Sequence, residues 1–172
     1  MIYSKEVVEF VTVAAEYVRY AESVSKSNRV AFMNVSQKLL SLLYLKASML
    51  PAVIPTEEED IEKYVTEQDW NFIKNSVSKI LGDFDVWMVV NEPLMQQEDE
   101  GISVCFSECY ADIYQDLSDF LQAYRIGSES IMNDALFTCK QNFEQFWGSR
   151  LLATLSTIHH LQYGKDSTDD VS

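Results

Sequence analysis

Four carboxylates, Glu108, Asp112, Asp116 and Asp119, recur at spacings of three and four, which places them side by side on a helix. Such a row could hold a cation or a basic partner, and paired carboxyls in an apolar recess could serve as acid and base. On the same predicted helix Tyr110, Ile113, Leu117, Leu121 and Tyr124 share the opposite arc, the pattern of a helix with one face in the core. The acidic row is therefore expected to face water, as the polar half of an amphipathic helix.

Metal chemistry needs ligands that converge. His159 and His160 are adjacent, so on a helix they point about 100° apart and cannot easily share one ion. The residues three before them are Ser156 and Thr157, where a di-iron helical bundle would place glutamates. Cys105 and Cys109 are four apart near a helix start, with Cys139 far along the chain, and no second pair completes a zinc site. These thiols read as small buried hydrophobes. No metal and no cofactor is expected. The five glycines form neither a phosphate loop nor a dinucleotide fingerprint, and no serine or cysteine sits in a nucleophile elbow.

Arg150 is the residue at odds with its surroundings. If the last helix is continuous, Arg150 leaves the middle of the stripe made by Phe143, Phe146 and Trp147, where a cation must be paired or reach outward. Asp85, Asp83 or Glu16 is expected to pair with it, or else an anionic ligand does. Trp147, Trp87, Asp85 and Tyr114 are the residues expected to line a ligand pocket beside Arg150.

The elements that position these groups are read from period and caps. Val7, Val11, Ala14, Val18 and Ala21 define a first helix beginning near Ser4. Residues 30–50, capped by Asn28 and closed by Pro51, are apolar nearly all round, which predicts a central helix surrounded by others. Thr56 and Glu59 have capping-box spacing for a short turn, with Glu57 to Asp60 as its solvated start. Thr66 and Asp69 start a third helix that ends at Gly82. Residues 83–90 are expected to form a short helical piece, and the acidic stretch 93–101 the longest loop. Ser107 caps the helix carrying the acidic row, which ends at Gly127, and a last helix starts near Ser128 or Ser130. It is expected to run, straight or slightly bent, through Gly148 to Leu161 and to end at Gly164.

The totals restrict the class of partner. Of 172 residues, 47% are hydrophobic, enough for one core. The formal net charge of -14 repels phosphate backbones and anionic bilayers, so nucleic acid and membrane are not expected partners and a basic protein is. The most apolar run, residues 39–54, is broken by Lys46 and Pro51 and falls short of the about 20 residues of a span. The N-terminus lacks the basic and apolar run of a signal peptide, and the odd number of cysteines suits a reducing compartment, so a cytoplasmic location is expected.

The segments Asp83-Phe84-Asp85-Val86-Trp87, Asp112-Ile113-Tyr114-Gln115-Asp116-Leu117 and Phe143-Glu144-Gln145-Phe146-Trp147-Gly148 resemble an uncharacterised bacterial family, the domain of unknown function 5063. The resemblance covers most of the chain and implies an all-helical cytoplasmic bacterial protein. It brings no assigned activity and no catalytic residues. Together these readings give an all-α, up-and-down bundle of about five main helices in a single domain, residues 1–164, followed by a polar tail, 165–172. The expected function is a non-enzymatic protein-interaction or adaptor module with an acidic surface; the alternative is a bundle binding a small anion or metabolite near Arg150 and Trp147.

Overall fold

Ser4 opens the first helix as its chemistry predicts: its hydroxyl accepts the Val7 N–H, and α1 runs over Lys5–Glu22. A 3-10 turn at Val24–Lys26 leads to α2, Arg29–Ser48, where the Asn28 carboxamide accepts the Ala31 N–H. Thr66 and Asp69 close a reciprocal capping box at the start of α3, Glu67–Leu81, satisfying two N–H groups that would otherwise be orphaned. α4 spans Phe106–Ile126 and stops at Gly127, whose φ of 89° is a left-handed turn that glycine adopts without strain. The computed structural model describes residues 1–56, 61–96 and 100–164. The expected solvated helix start at 57–60, much of the acidic loop and the polar tail 165–172 lie outside the described residues.

α5, Glu129–Asn142, continues through a π-helical turn, Phe143–Trp147, into α6, Gly148–Tyr163. The last helix is thus one rod through Gly148, ending at Gly164 as expected. The π turn explains the glycine. Its N–H donates to the carbonyl of Phe143, five residues back, and a Cβ at 148 would stand 2.4 Å from that oxygen and 3.1 Å from the Phe143 ring.

The helices form an up-and-down bundle, but its centre differs from the expectation. α1, α3, α5 and α6 all pack on α4, whose Phe106, Cys109, Tyr110, Ile113, Leu117 and Leu121 are buried. α2 is not surrounded. It packs on α1 and α6, and although Leu40 and Leu43 are fully buried, Leu42 is 42% and Leu45 52% exposed. An apolar circumference fits a buried helix and a half-bare one alike, so composition could not separate them.

Residues 83–90 also depart from the short helix expected. After a 3-10 turn, Gly82–Phe84, the chain enters strand β1, Trp87–Val90, which pairs antiparallel with β2, Ile102–Cys105, in the register Trp87 to Cys105 and Val90 to Ile102. β1 lies on α6, with Met88 and Val90 inward and Trp87 and Val89 outward, and the Met88 sulfur accepts the Thr157 hydroxyl at 3.0 Å. No helix among the described residues is long and apolar enough to cross a membrane.

Candidate functional site

The acidic row is not a solvated face. Glu108, Asp112, Asp116 and Asp119 are all half-buried, and the last three are tied into hydrogen bonds by elements that pack over them. The Asp112 carboxylate accepts the Trp70 indole N–H of α3 at 3.0 Å on one oxygen and Arg150 Nε of α6 at 3.0 Å on the other. Asp116 accepts the Asn142 amide of α5 at 2.9 Å. Asp119 accepts the backbone N–H groups of Tyr64 and Val65 at 2.7 and 2.8 Å, which holds the segment leading into α3. The row is a polar spine along α4, through which Asp112 binds α3 and α6, Asp116 binds α5 and Asp119 binds the segment leading into α3.

Burial sets the electrostatics of the spine. It raises the carboxyl of Asp112 despite the Trp70 hydrogen bond and the attraction of Arg150. It raises Asp119 despite its two backbone bonds. Asp116 is pushed up to about 7, chiefly by burial and further by the charges of Asp119 and Asp112, against the opposing pull of the Asn142 bond and Lys63. The buried Cys139 thiol nearby is raised by burial and by Asp116.

Arg150 is buried and paired, as its place in the stripe requires, but by other acids than those expected. Its Nη1 lies 2.6 Å from Glu92 and its Nε 3.0 Å from Asp112, while its guanidinium carbon sits 3.9 Å over the Phe146 ring. Asp83, Asp85 and Glu16 are not these partners. Asp85 instead fixes the start of α4, accepting the Ser107 N–H at 2.9 Å and hydroxyl at 2.7 Å. Helix α4 accordingly begins one residue before Ser107, with Cys105 at the cap position. Trp147 is fully buried, donates its indole N–H to the Cys139 carbonyl, stacks with Phe10 and packs at a tilt against Phe143. Tyr114 donates to Glu22 at 3.0 Å, and burial pushes its phenol up to about 12. Trp87 is 68% exposed on β1. Asp85, Trp147 and Tyr114 are thus engaged elsewhere and Trp87 faces solvent, while the Arg150 head is in contact with Glu92, Asp112 and Phe146.

Two recesses flank the spine. One, of about 90 Å³, is lined by Lys63, Gln115, Asp116, Asp119, Thr138 and Cys139 among others. The other, of about 400 Å³ and open to solvent, is lined by Thr66, Glu67, Trp70, Asp112 and Gln115 among others. A carboxyl that titrates near neutrality beside a recess can move a proton, but the first recess is far below the roughly 300 Å³ of small-molecule sites, and of the two other carboxylates lining it, Glu62 and Asp119, the latter is engaged by backbone. Among the described residues no group of three or more His, Cys, Asp or Glu is placed to hold a metal ion. His159 and His160 are exposed, and all three cysteines are buried and unpaired.

The sequence and the fold have counterparts among known proteins. The family described as Domain of unknown function (DUF5063) matches residues 1–164. The chain belongs to the DUF5063 family. Its fold is similar to the crystal structure of protein BF1032 from Bacteroides fragilis, which is 37% identical, covers 95% of this chain and 96% of its own, and superposes with a TM-score of 0.83. No curated protein matches.

The groups of this DUF5063 protein that sequence reasoning overlooked are Glu92, Trp70 and Asn142, together with the buried role of the acidic row. One signal was present. Ala111, Phe120 and Ala123 border the acidic positions on α4 and are buried, and a helix whose charged side is interleaved with Phe and Ala is covered on that side too.

Proposed function

We propose that this DUF5063 protein is a non-catalytic protein-interaction module of the bacterial cytoplasm, whose docking face is the outer side of α2 and whose partner is a basic amphipathic helix. The observation that carries the reading is a solvent-facing series at alternating spacings of three and four: Val35, Lys38, Leu42, Leu45 and Met49, with the four apolar members 37%, 42%, 52% and 46% exposed. That is the spacing of a coiled-coil seam. Lys38, within the series, turns back to bond the Asn34 carboxamide, so the apolar row is not interrupted at its base. Contiguous exposed apolar surface on a helix is how helix-in-groove recognition presents itself.

Charge argues for the partner's sign. Glu9 bonds Lys46 and Tyr20 stacks on Phe32, so the edge of α1 carrying Glu9 and Glu16 runs alongside the series. A helix seated there meets carboxylates at its rim, and the field of a chain with net charge -14 speeds the approach of a cationic partner. The odd number of cysteines suits a reducing compartment.

The test uses a synthetic 21-residue helix with leucine at seam positions and lysine elsewhere, and a scrambled peptide of the same composition. The wild-type protein binds the seam peptide more tightly than the scrambled one, and Leu42→Glu/Leu45→Glu loses at least tenfold in that affinity with unchanged circular dichroism, because neither side chain supports the core. Equal binding of both peptides, or of both proteins to the seam peptide, overturns the reading.

A further inference from the structure

The Arg29 cleft carries a second inference, independent of the α2 face. It lies between the 3-10 turn with the start of α2 on one wall and the outer face of α3 on the other, and has a volume of about 560 Å³, within the roughly 300–1,000 Å³ of small-molecule sites. We propose that it binds a small phosphate monoester bearing an aromatic or similarly flat apolar group.

The chemistry of the walls argues for an anion. In a chain with net charge -14, this cleft is lined by Arg29 and Lys79 and, among the described residues, by no carboxylate. Lys46, Lys140 and Arg150 lie against acids, whereas among the described residues Lys79 stands in no ion pair. Arg29 is pre-positioned: its guanidinium lies 4.5 Å from the Phe84 ring centre, and Nη1 donates to the Leu81 carbonyl at 3.5 Å. With Nη1 on that carbonyl and Nε buried, Arg29 contributes positive charge to the cleft wall and not a two-pronged contact. Arg29 is also the first residue of the 20-residue α2, so the positive end of the helix dipole adds to the two side chains. Lys26, on the adjoining turn, adds to the same field.

The rest of the cleft argues for what the phosphate is attached to. On α3 the row Ile73, Val77 and Leu81 enters the core, while Phe72, Asn75, Ser76 and Lys79 share the face turned to the cleft. Phe72 is 54% exposed there, a large ring left in water at the mouth of a cationic recess, and the half-buried Ile80 continues the apolar strip. A flat apolar group lying on Phe72 and Ile80 shares the cleft with Lys79, the cation expected to meet its phosphate. Ser25 and Asn75 add neutral donors around it.

Calorimetric titration and amide chemical-shift mapping of the whole protein with phenyl phosphate, inorganic phosphate and phenol test the assignment. Phenyl phosphate is expected to bind saturably, to weaken as salt rises, and to shift amides of residues 25–30 and 72–80. Inorganic phosphate is expected to bind at least fivefold more weakly. Lys79→Glu lowers phenyl phosphate affinity at least tenfold, and Phe72→Ala lowers it about fivefold while leaving inorganic phosphate unchanged. Both residues are exposed, so both variants keep the wild-type circular dichroism. Absence of saturable phenyl phosphate binding by the wild-type protein, or affinity in Lys79→Glu within twofold of wild type, overturns the site. Equal affinity for phenol and phenyl phosphate, or equal loss of both phosphates in Phe72→Ala, overturns the assigned ligand class.

Discussion

Asp116→Asn isolates the cost of keeping charge inside the bundle. The side chain keeps its size, and its oxygen can still accept the Asn142 amide that now lies 2.9 Å away, so the substitution removes the ionisation and little else. The folded carboxyl, pushed up to about 7 from an ordinary 3.8, holds its proton to higher pH than the unfolded one does. Its contribution to stability is therefore complete below an unfolded value of 3.8 and is lost as pH climbs through about 7. At about 1.4 kcal/mol per pKa unit the full loss is roughly 4–5 kcal/mol, of which roughly 2–3 kcal/mol falls between pH 5 and pH 8.

The assay is urea unfolding of the two proteins at pH 5, 6, 7 and 8. Taking the difference at each pH cancels most of the other titrations. The repulsion from Asp112 and Asp119 and the attraction of Lys63 are already contained in the raised Asp116 carboxyl, so they enter this difference once and add nothing further. The variant should be the more stable protein at pH 8, by roughly 2–3 kcal/mol more than its difference at pH 5. Stability curves that run parallel to within about 0.5 kcal/mol, or a less stable variant at pH 8, would refute the claim that burial governs this carboxyl.

Two further outcomes test the packing around the spine. Arg150→Ala strands the partly buried carboxylates of Asp112 and Glu92, and urea unfolding at pH 7 should show a loss of about 3–5 kcal/mol, whereas a loss under 1 kcal/mol would mean the ion pairs are solvated. Gly148→Ala drives a methyl group against the Phe143 carbonyl, and thermal unfolding should register a cost of about 1–3 kcal/mol in place of the small gain that alanine gives in an ordinary helix.

The parts of the fold legible in sequence are those decided locally. Ser4, Asn28 and the Thr66–Asp69 box start their helices because a cap bonds an N–H only two or three residues away. Gly82 and Gly127 end theirs at positive φ. β1 was unreadable for the opposite reason. A four-residue run has no period long enough to weigh, and its partner begins only at Ile102, across the acidic connection. The position of α2 failed differently. Its leucines fix that it is helical but not how much of its circumference neighbours cover, and the bare part is the part that argues for a partner.

The acidic row shows where pattern reasoning stops and chemistry begins. Charged residues opposite an apolar arc face water only if nothing else packs there, and burying them is tolerable only when each finds a donor. Those donors come from the Trp70 indole, the Asn142 amide, the Tyr64 and Val65 backbone and Arg150, none of them adjacent to its acceptor in sequence. Arg150 is the clearest case: a cation in an aromatic stripe demands an acid, so the need was legible, but the acids that answer it lie 38 and 58 residues away. Choosing them required knowing that α6 crosses α4 at Asp112 and that Glu92, just beyond β1, comes up beside it. The same network explains why α4 takes the centre instead of the greasier α2. Apolar surface can be buried against any neighbour, whereas Asp112, Asp116 and Asp119 accept from particular groups on α3, α6, α5 and the segment leading into α3, and only a helix with neighbours on several sides can place all three.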